Sequence, residues 1–278
     1  MVGKSSISGA GKPIIALAIA GFDPSSGAGV TADLKVFAAH GVYGVSAITA
    51  LTIQSTQGVR GVEAVSPEVL AETLSCLAED FEISGVKIGM LATRENVDRV
   101  SGFLCAAGIL KSYVVLDPIL KASSGQALLS PGGVVRLKES LLPQVGWLTP
   151  NTEELAELAR VPVRNRTEVE TAAERLASGY PRLNLVVTGG HLDAPDDYLR
   201  LAGGESRWLP GRRIETTATH GTGCAFSSAL LARLLLGDGP AEAVAGAKAY
   251  VAGAMAAADP VGKGKGPLNH LYMLGRTM

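Results

Sequence analysis

Residues 14–39 read Ile14-Ile15-Ala16-Leu17-Ala18-Ile19-Ala20-Gly21, then Phe22-Asp23-Pro24-Ser25-Ser26-Gly27-Ala28, then Gly29-Val30-Thr31-Ala32-Asp33-Leu34-Lys35-Val36-Phe37-Ala38-Ala39. A short unbroken apolar run suits a strand buried on both faces, and the turn residues after it hand the chain to an apolar helix. Gly27-Ala28-Gly29-Val30-Thr31-Ala32 matches the dinucleotide fingerprint G-x-G-x-x-[GA], yet Phe22 to Ser26 separate it from the strand. After Asp33 the next acid is Glu63, too far along to hold a ribose hydroxyl. The stretch therefore reads as a tight strand-to-helix connection. It is the first β-α unit.

Outward from it the unit repeats. Further strands are expected at Val45–Ile53, Gly85–Met90, Tyr113–Pro118, Gly146–Thr149 and Leu183–Thr188, beside the first at Ile14–Gly21. Helices are expected at Gly29–Ala39, Pro67–Glu79, Arg94–Ala107, Pro131–Leu141, Thr152–Leu158, Glu168–Ser178, Cys224–Leu236 and Ala241–Ala258. Pro67 and Pro131 fall in first turns, where proline costs no hydrogen bond, and Gly108 follows its helix as a cap. Tyr198–Leu201 and Arg207–Leu209 flank Gly203-Gly204 and read as an antiparallel hairpin. The rhythm predicts a three-layer α/β/α fold on a mostly parallel sheet. No internal repeat or long linker divides it, so one domain is expected over residues 13–278, after a flexible Ser/Gly-rich tail at 1–12. Ligands of such sheets sit at the carboxyl ends of the strands. Asp23, Gln54, Met90, Asp117, Asn151 and Gly189-Gly190 all fall there.

Twenty-five basic residues against 26 acidic ones leave no electrostatic footprint for nucleic acid or an anionic membrane. No apolar run reaches the ~18 residues of a spanning helix. Cys76, Cys105 and Cys224 are too far apart for a metal knuckle or a disulfide framework. A soluble, cytoplasmic enzyme is expected. Cys76 and Cys105, on apolar helices, read as small core residues.

Near the C-terminus, Thr219-His220-Gly221-Thr222-Gly223-Cys224 runs directly into Ala225-Phe226-Ser227-Ser228-Ala229-Leu230-Leu231-Ala232-Arg233-Leu234-Leu235-Leu236. A glycine-rich loop opening a helix offers unpaired N–H groups and the positive dipole end to an anion. No lysine follows the glycines, so this is not a P-loop of the G-x-x-x-x-G-K-[ST] type. A thiol stands in the first turn instead, where the helix N-terminus favours thiolate. Phosphoryl transfer is the chemistry this combination raises. His220 and Cys224, four residues apart, also admit a Cys–His nucleophile pair, although no third orienting residue is evident and loop-capping suits His220 better.

Five segments taken together carry a resemblance. They are Ala20–Lys35, Ala47–Val59, Lys87-Ile88-Gly89-Met90-Leu91, Thr149-Pro150-Asn151 and the His220–Cys224 loop. From about Ile14 to His270 they resemble, in order and spacing, the bacterial hydroxymethylpyrimidine/phosphomethylpyrimidine kinases of thiamine biosynthesis. The resemblance implies a ribokinase-like fold, ATP and Mg²⁺ as co-reactants, and two successive phosphorylations of 4-amino-5-hydroxymethyl-2-methylpyrimidine. It implies Cys224 as catalytic base, with Gly221 and Gly223 offering N–H groups to the phosphoryl. Asp33 and Gln54 would hydrogen-bond the aminopyrimidine, Gly21 would let backbone approach the ring, and Ala28, Met90 and Ile119 would wall it. Asp117 and Glu154 would hold Mg²⁺, and Asn151, Glu154, Thr188 and Lys248 would serve the nucleotide phosphates. The implied partners are the pyrimidine and ATP, with a homodimer as the assembly to test. One position departs: the family often has lysine before its Gly-Gly-His, whereas this chain has Thr188 before Gly189-Gly190-His191. Two other functions remain open, a pyridoxal/pyridoxine kinase of the same fold and a non-catalytic pyrimidine-binding protein.

Overall fold

The computed structural model describes residues 12–122, 125–190 and 194–275. The expected tail at 1–12, apart from Lys12, lies outside them, as does His191. The strands are β1 (Ile15–Phe22), β2 (Tyr43–Ser55), β3 (Gly58–Ala64), β4 (Gly85–Ile88), β5 (Val114–Leu116), β6 (Trp147–Leu148), β7 (Asn184–Val187), β8 (Asp197–Arg200) and β9 (Ser206–Leu209). They form one sheet in the order β3-β2-β1-β4-β5-β6-β7-β8-β9. β2, β1, β4, β5, β6 and β7 are parallel, while β3 at one edge and the β8–β9 hairpin at the other run antiparallel. The hairpin is where the sequence puts it. β3 was not foreseen: its two glycines and half-exposed alternation carry no apolar run.

The helices are α1 (Gly29–Ala39), α2 (Pro67–Asp80), α3 (Arg94–Ala106), α4 (Pro131–Arg136), α5 (Thr152–Ala159), α6 (Arg166–Gly179), α7 (Thr222–Leu235) and α8 (Pro240–Ala256). Their starts follow local chemistry. Ser66, Thr93, Ser130, Asn151 and Asn165 each accept an N–H of the first turn, which supplies partners for donors the helix cannot satisfy itself. Strand alternation sorts β1 between two cores. Leu17 and Ile19 face α2, α3, α5 and α6, whereas Ala16, Ala18 and Ala20 face α1, α7 and α8. No described helix is long and apolar enough to cross a membrane.

Two cysteine expectations are corrected. Cys76 and Cys105 are exposed, because the buried stripe of α2 runs through Leu70 and Leu74 and that of α3 through Val97, Val100 and Leu104. Each thiol lies off its stripe by the helical phase.

Candidate active site

β1 is flanked by β2 on one side and β4 on the other, so the direction of strand addition reverses there. Such a reversal opens a crevice beyond the carboxyl ends of the strands. Asp23 follows β1, Gln54 lies near the end of β2, Gly89-Met90 follows β4 and Asp117 follows β5. The parallel register brings these residues to one edge.

The loop after β1 curls around a single carboxylate. Asp23 Oδ1 accepts the backbone N–H (2.8 Å) and hydroxyl (2.7 Å) of Ser25, and Oδ2 accepts the N–H groups of Gly27 (3.2 Å) and Ala28 (2.9 Å). His220 Nε2 lies 2.7 Å from Oδ2, which ties this loop to the glycine-rich loop, and the Gln54 side-chain amide at the end of β2 packs against the same ring. Burial pushes Asp23 up, but the bonds from His220 and Ser25 outweigh it and hold the carboxyl at about 2. It is a carboxylate at neutral pH, and His220 Nε2–H donates to it.

The two glycine loops interlock backbone to backbone. Gly221 caps α7 in the left-handed region (φ 86°), and a Cβ there would lie 1.9 Å from the Gly27 carbonyl oxygen. At Gly27 a Cβ would lie 2.4 Å from His220 Cδ2. Gly221→Ala is therefore expected to cost about 1–3 kcal/mol for its backbone conformation alone, and to displace the loop as well. Urea denaturation and ATP turnover should both register the change. An unaltered midpoint with full turnover would contradict the packing.

No side chain caps α7, so its first N–H groups remain for an anion. Below them, a Cβ on Gly223 would sit 3.5 Å from Asp117 Oδ2. Asp117 is 4% exposed, and burial together with Asp33 pushes its carboxyl up against Lys87 and the Ser227 hydroxyl. Glu154 is likewise pushed up, by burial and then by Asp117. It closes a capping box: its Oε2 accepts Asn151 N–H (2.9 Å) and its own N–H donates to Asn151 Oδ1 (2.9 Å). The Asn151 amide oxygen, expected among the cation and phosphate contacts, is thus committed to the helix start. Thr188, half-buried, bridges to Asn151, and its N–H donates to the Pro150 carbonyl (2.9 Å).

The structure corrects two expected roles, those of Asp33 and Lys248, and the expected resting state of Cys224. Asp33 is fully buried: Lys87 Nζ donates to both of its oxygens (2.9 and 3.0 Å), and Ser228 Oγ donates to Oδ1 (2.8 Å). It is one half of a buried ion pair and presents no free acceptor to an aminopyrimidine. Losing either partner of such a pair typically costs about 3–5 kcal/mol. Cys224 is pushed up to about 12, by burial first and then by Asp33 and Asp117, against Lys87 and a hydrogen bond from Gly29 N–H. The helix start does not make it a resting thiolate; desolvation wins. Lys248 donates to Asp197 Oδ2 (2.6 Å) and the Pro195 carbonyl (3.1 Å), so its ammonium braces β8.

The apolar set holds different places. Met90 is buried, and its Sδ would meet a Cβ on Gly21 at 3.0 Å, so the sulfur fills the room that Gly21 leaves. Ala28 and Ile119 are half-buried, and Ile119 Cδ1 reaches toward Gly89.

A family model described as phosphomethylpyrimidine kinase matches residues 23–269. The chain belongs to that family. It is 42% identical over 264 residues to the hydroxymethylpyrimidine/phosphomethylpyrimidine kinase of Rhizobium meliloti (strain 1021), covering 93% of this chain and 97% of the relative. The phosphomethylpyrimidine kinase of Clostridium difficile 630 superposes with a TM-score of 0.75 at 33% identity, over 86% of this chain and 98% of that one. The pyridoxal kinase of Staphylococcus aureus, in complex with AMP-PCP and pyridoxal, superposes at 0.84 with 28% identity, over 95% and 96%. The ribokinase-like α/β/α fold expected from the sequence is therefore the fold of this phosphomethylpyrimidine kinase family member.

Lys87 opens the Lys87–Leu91 motif and carries no role expected from the sequence. A lysine inside the wholly buried run Gly85–Ile88 was the available signal, since a charge is almost never fully buried unless paired. His270 was also missed. It is buried, 3.2 Å through Nε2 from the Gly27 carbonyl oxygen, and burial pushes it down to about 4.

Proposed function

We propose that this phosphomethylpyrimidine kinase family member transfers the γ-phosphoryl group of ATP to the hydroxymethyl group of 4-amino-5-hydroxymethyl-2-methylpyrimidine, and then to the resulting monophosphate. The observation that carries the reading is the uncapped start of α7 above buried Asp117, with Cys224 in the same turn. Backbone N–H groups of Gly221 and Gly223 would stabilise the charge on the transferring phosphoryl. Gln54, packed against His220, offers its amide to the pyrimidine edge. Cys224 accepts the hydroxyl proton once it has reached its thiolate form. Thr188 and the Asn151 amide N–H₂ flank the nucleotide side.

Asp117 and Glu154 suit Mg²⁺. Both are buried acids held above their usual range, a situation that a hard cation relieves. Among the described residues no cluster of three or more His, Cys, Asp or Glu gathers to hold a metal. Mg²⁺ needs none, because it is usually bound by one or two carboxylates, waters and the substrate phosphates. When bound, it would neutralise charge on the phosphate oxygens.

An ATP-consumption assay comparing the pyrimidine alcohol, its monophosphate and pyridoxal tests the reading. The pyrimidine alcohol and its monophosphate should be turned over in preference to pyridoxal. Pyridoxal as the best substrate would move the chain to the activity of its Staphylococcus aureus neighbour, and no ATP consumption would leave only a binding protein.

Thr188 sets a second expectation. The monophosphate brings about two negative charges toward the γ-phosphate, and Lys248 is held by Asp197. The α7 start and bound Mg²⁺ are left to offset the repulsion. Thr188→Lys should speed use of the monophosphate while leaving the first phosphorylation nearly unchanged. Competing-substrate kinetics on the two proteins would show it, and no gain on the monophosphate would mean that Thr188 lies away from that phosphate.

A further inference from the structure

Lys87 lies in β4 with no exposed surface, and its Nζ is bonded to both oxygens of Asp33. Two residues on, Gly89 has no side chain, and a Cβ there would come 2.9 Å from Nζ. The ammonium occupies that room, at the crevice end of the strand, beside Ile119. Asp33 alone would explain one buried cation. The pair is also tied to α7: Asp33 Oδ1 accepts the Ser228 hydroxyl (2.8 Å), one helical turn beyond buried Cys224, and Ser227 of the same helix donates to Asp117 Oδ2 (3.4 Å) at the end of β5. The ammonium is thus held against the face of α7 that carries Cys224, and Cys224 and Asp117 act on it electrostatically. Gly29 N–H, from the start of α1, donates to the Cys224 sulfur, and Ser227 and Ser228 add hydroxyls from α7.

We propose that Lys87 is a positioning residue for phosphoryl transfer, its ammonium held by Asp33 so that it stabilises negative charge on the Cys224 sulfur. The inference rests on the reading of Cys224 as the base. In the step it serves, the substrate O–H bond breaks and the proton passes to the thiolate, forming S–H. The substrate oxygen bonds to the γ-phosphorus, and the bond to the β–γ bridging oxygen breaks with its electron pair leaving on ADP. Lys87 touches neither substrate nor phosphate and keeps its proton throughout.

Lys87→Met alone leaves Asp33 buried without a cation and weakens the fold whatever else Lys87 does. The decisive protein is Lys87→Met/Asp33→Asn, which removes both charges together and should keep a urea midpoint close to that of the parent. Measured with ATP, Mg²⁺ and the pyrimidine alcohol, its kcat should fall about threefold or more, because Lys87 favours the Cys224 thiolate more than Asp33 opposes it, with the KM for ATP within about threefold. Adding Cys224→Ala to it should lower kcat no further than Cys224→Ala does alone, because the two changes remove one function. A double variant that turns over like the parent, or losses that multiply with Cys224→Ala, overturns the proposal. A slow Cys224→Ala beside a fast double variant removes the Lys87 role only. Near-normal turnover by Cys224→Ala removes the base reading, and this inference with it.

Discussion

Cys224→Ala is expected to lower kcat by about 10²-fold or more while the KM for the pyrimidine stays near that of the parent, since no hydrogen bond from Cys224 to the pyrimidine is needed in the proposed complex. Cys224→Asp should keep more activity, as a carboxylate is a competent base. The pH profile separates the two further. A group held at about 12 is protonated at neutral pH, so raising the pH increases the thiolate fraction about tenfold per unit. The parent kcat should therefore still climb above pH 8. The Cys224→Asp profile should flatten at lower pH, because a carboxylate loses its proton earlier. A level parent profile between pH 7 and 9, or full turnover by the alanine variant, would end the assignment.

Asp117→Asn should have a comparable effect by another route. The substitution keeps shape and removes the charge from one of two buried carboxylates. Turnover is expected to fall by about 10²-fold or more, and half-maximal activity should require more Mg²⁺. Glu154 responds as well. Asp117 helps to push its carboxyl up, so removing that neighbour lets Glu154 ionise at lower pH. A variant with unchanged Mg²⁺ dependence would show that the two acids serve the fold alone.

What the sequence disclosed follows physical range. β1 to α1 and β8 to β9 are local, and apolar length, turn residues and capping groups announce them. β3 gave no such signal because it is an edge strand with little to bury. The cleft residues Asp23, Gln54, Met90 and Asp117 were legible once the strands were placed, because parallel order forces their carboxyl ends together. Partners distant in the chain were not. Lys87 lies 54 residues from Asp33, and Lys248 lies 51 from Asp197. An acid near a helix start reads the same whether water or an ammonium faces it. For Cys224 two effects oppose, and only the packed structure reveals that desolvation exceeds the pull of the helix terminus.

The sorting of β1 side chains between two cores also has a temporal meaning. One layer of helices, α2 to α6, is contiguous in the chain, whereas α1 shares its layer with α7 and α8. On a ribosome α1 emerges well before α7 and α8 and must wait for them, with its apolar face uncovered in the interval. Stalled nascent chains ending before Thr222 should gain protease resistance in the α2–α6 half while α1 stays cleavable. Equal protection of α1 at that length would refute this order. Because the glycine-rich loop lies at the start of α7, binding of an ATP analogue to such stalled chains should appear only as α1 closes, so that the enzyme becomes competent at the moment its oldest surface is hidden.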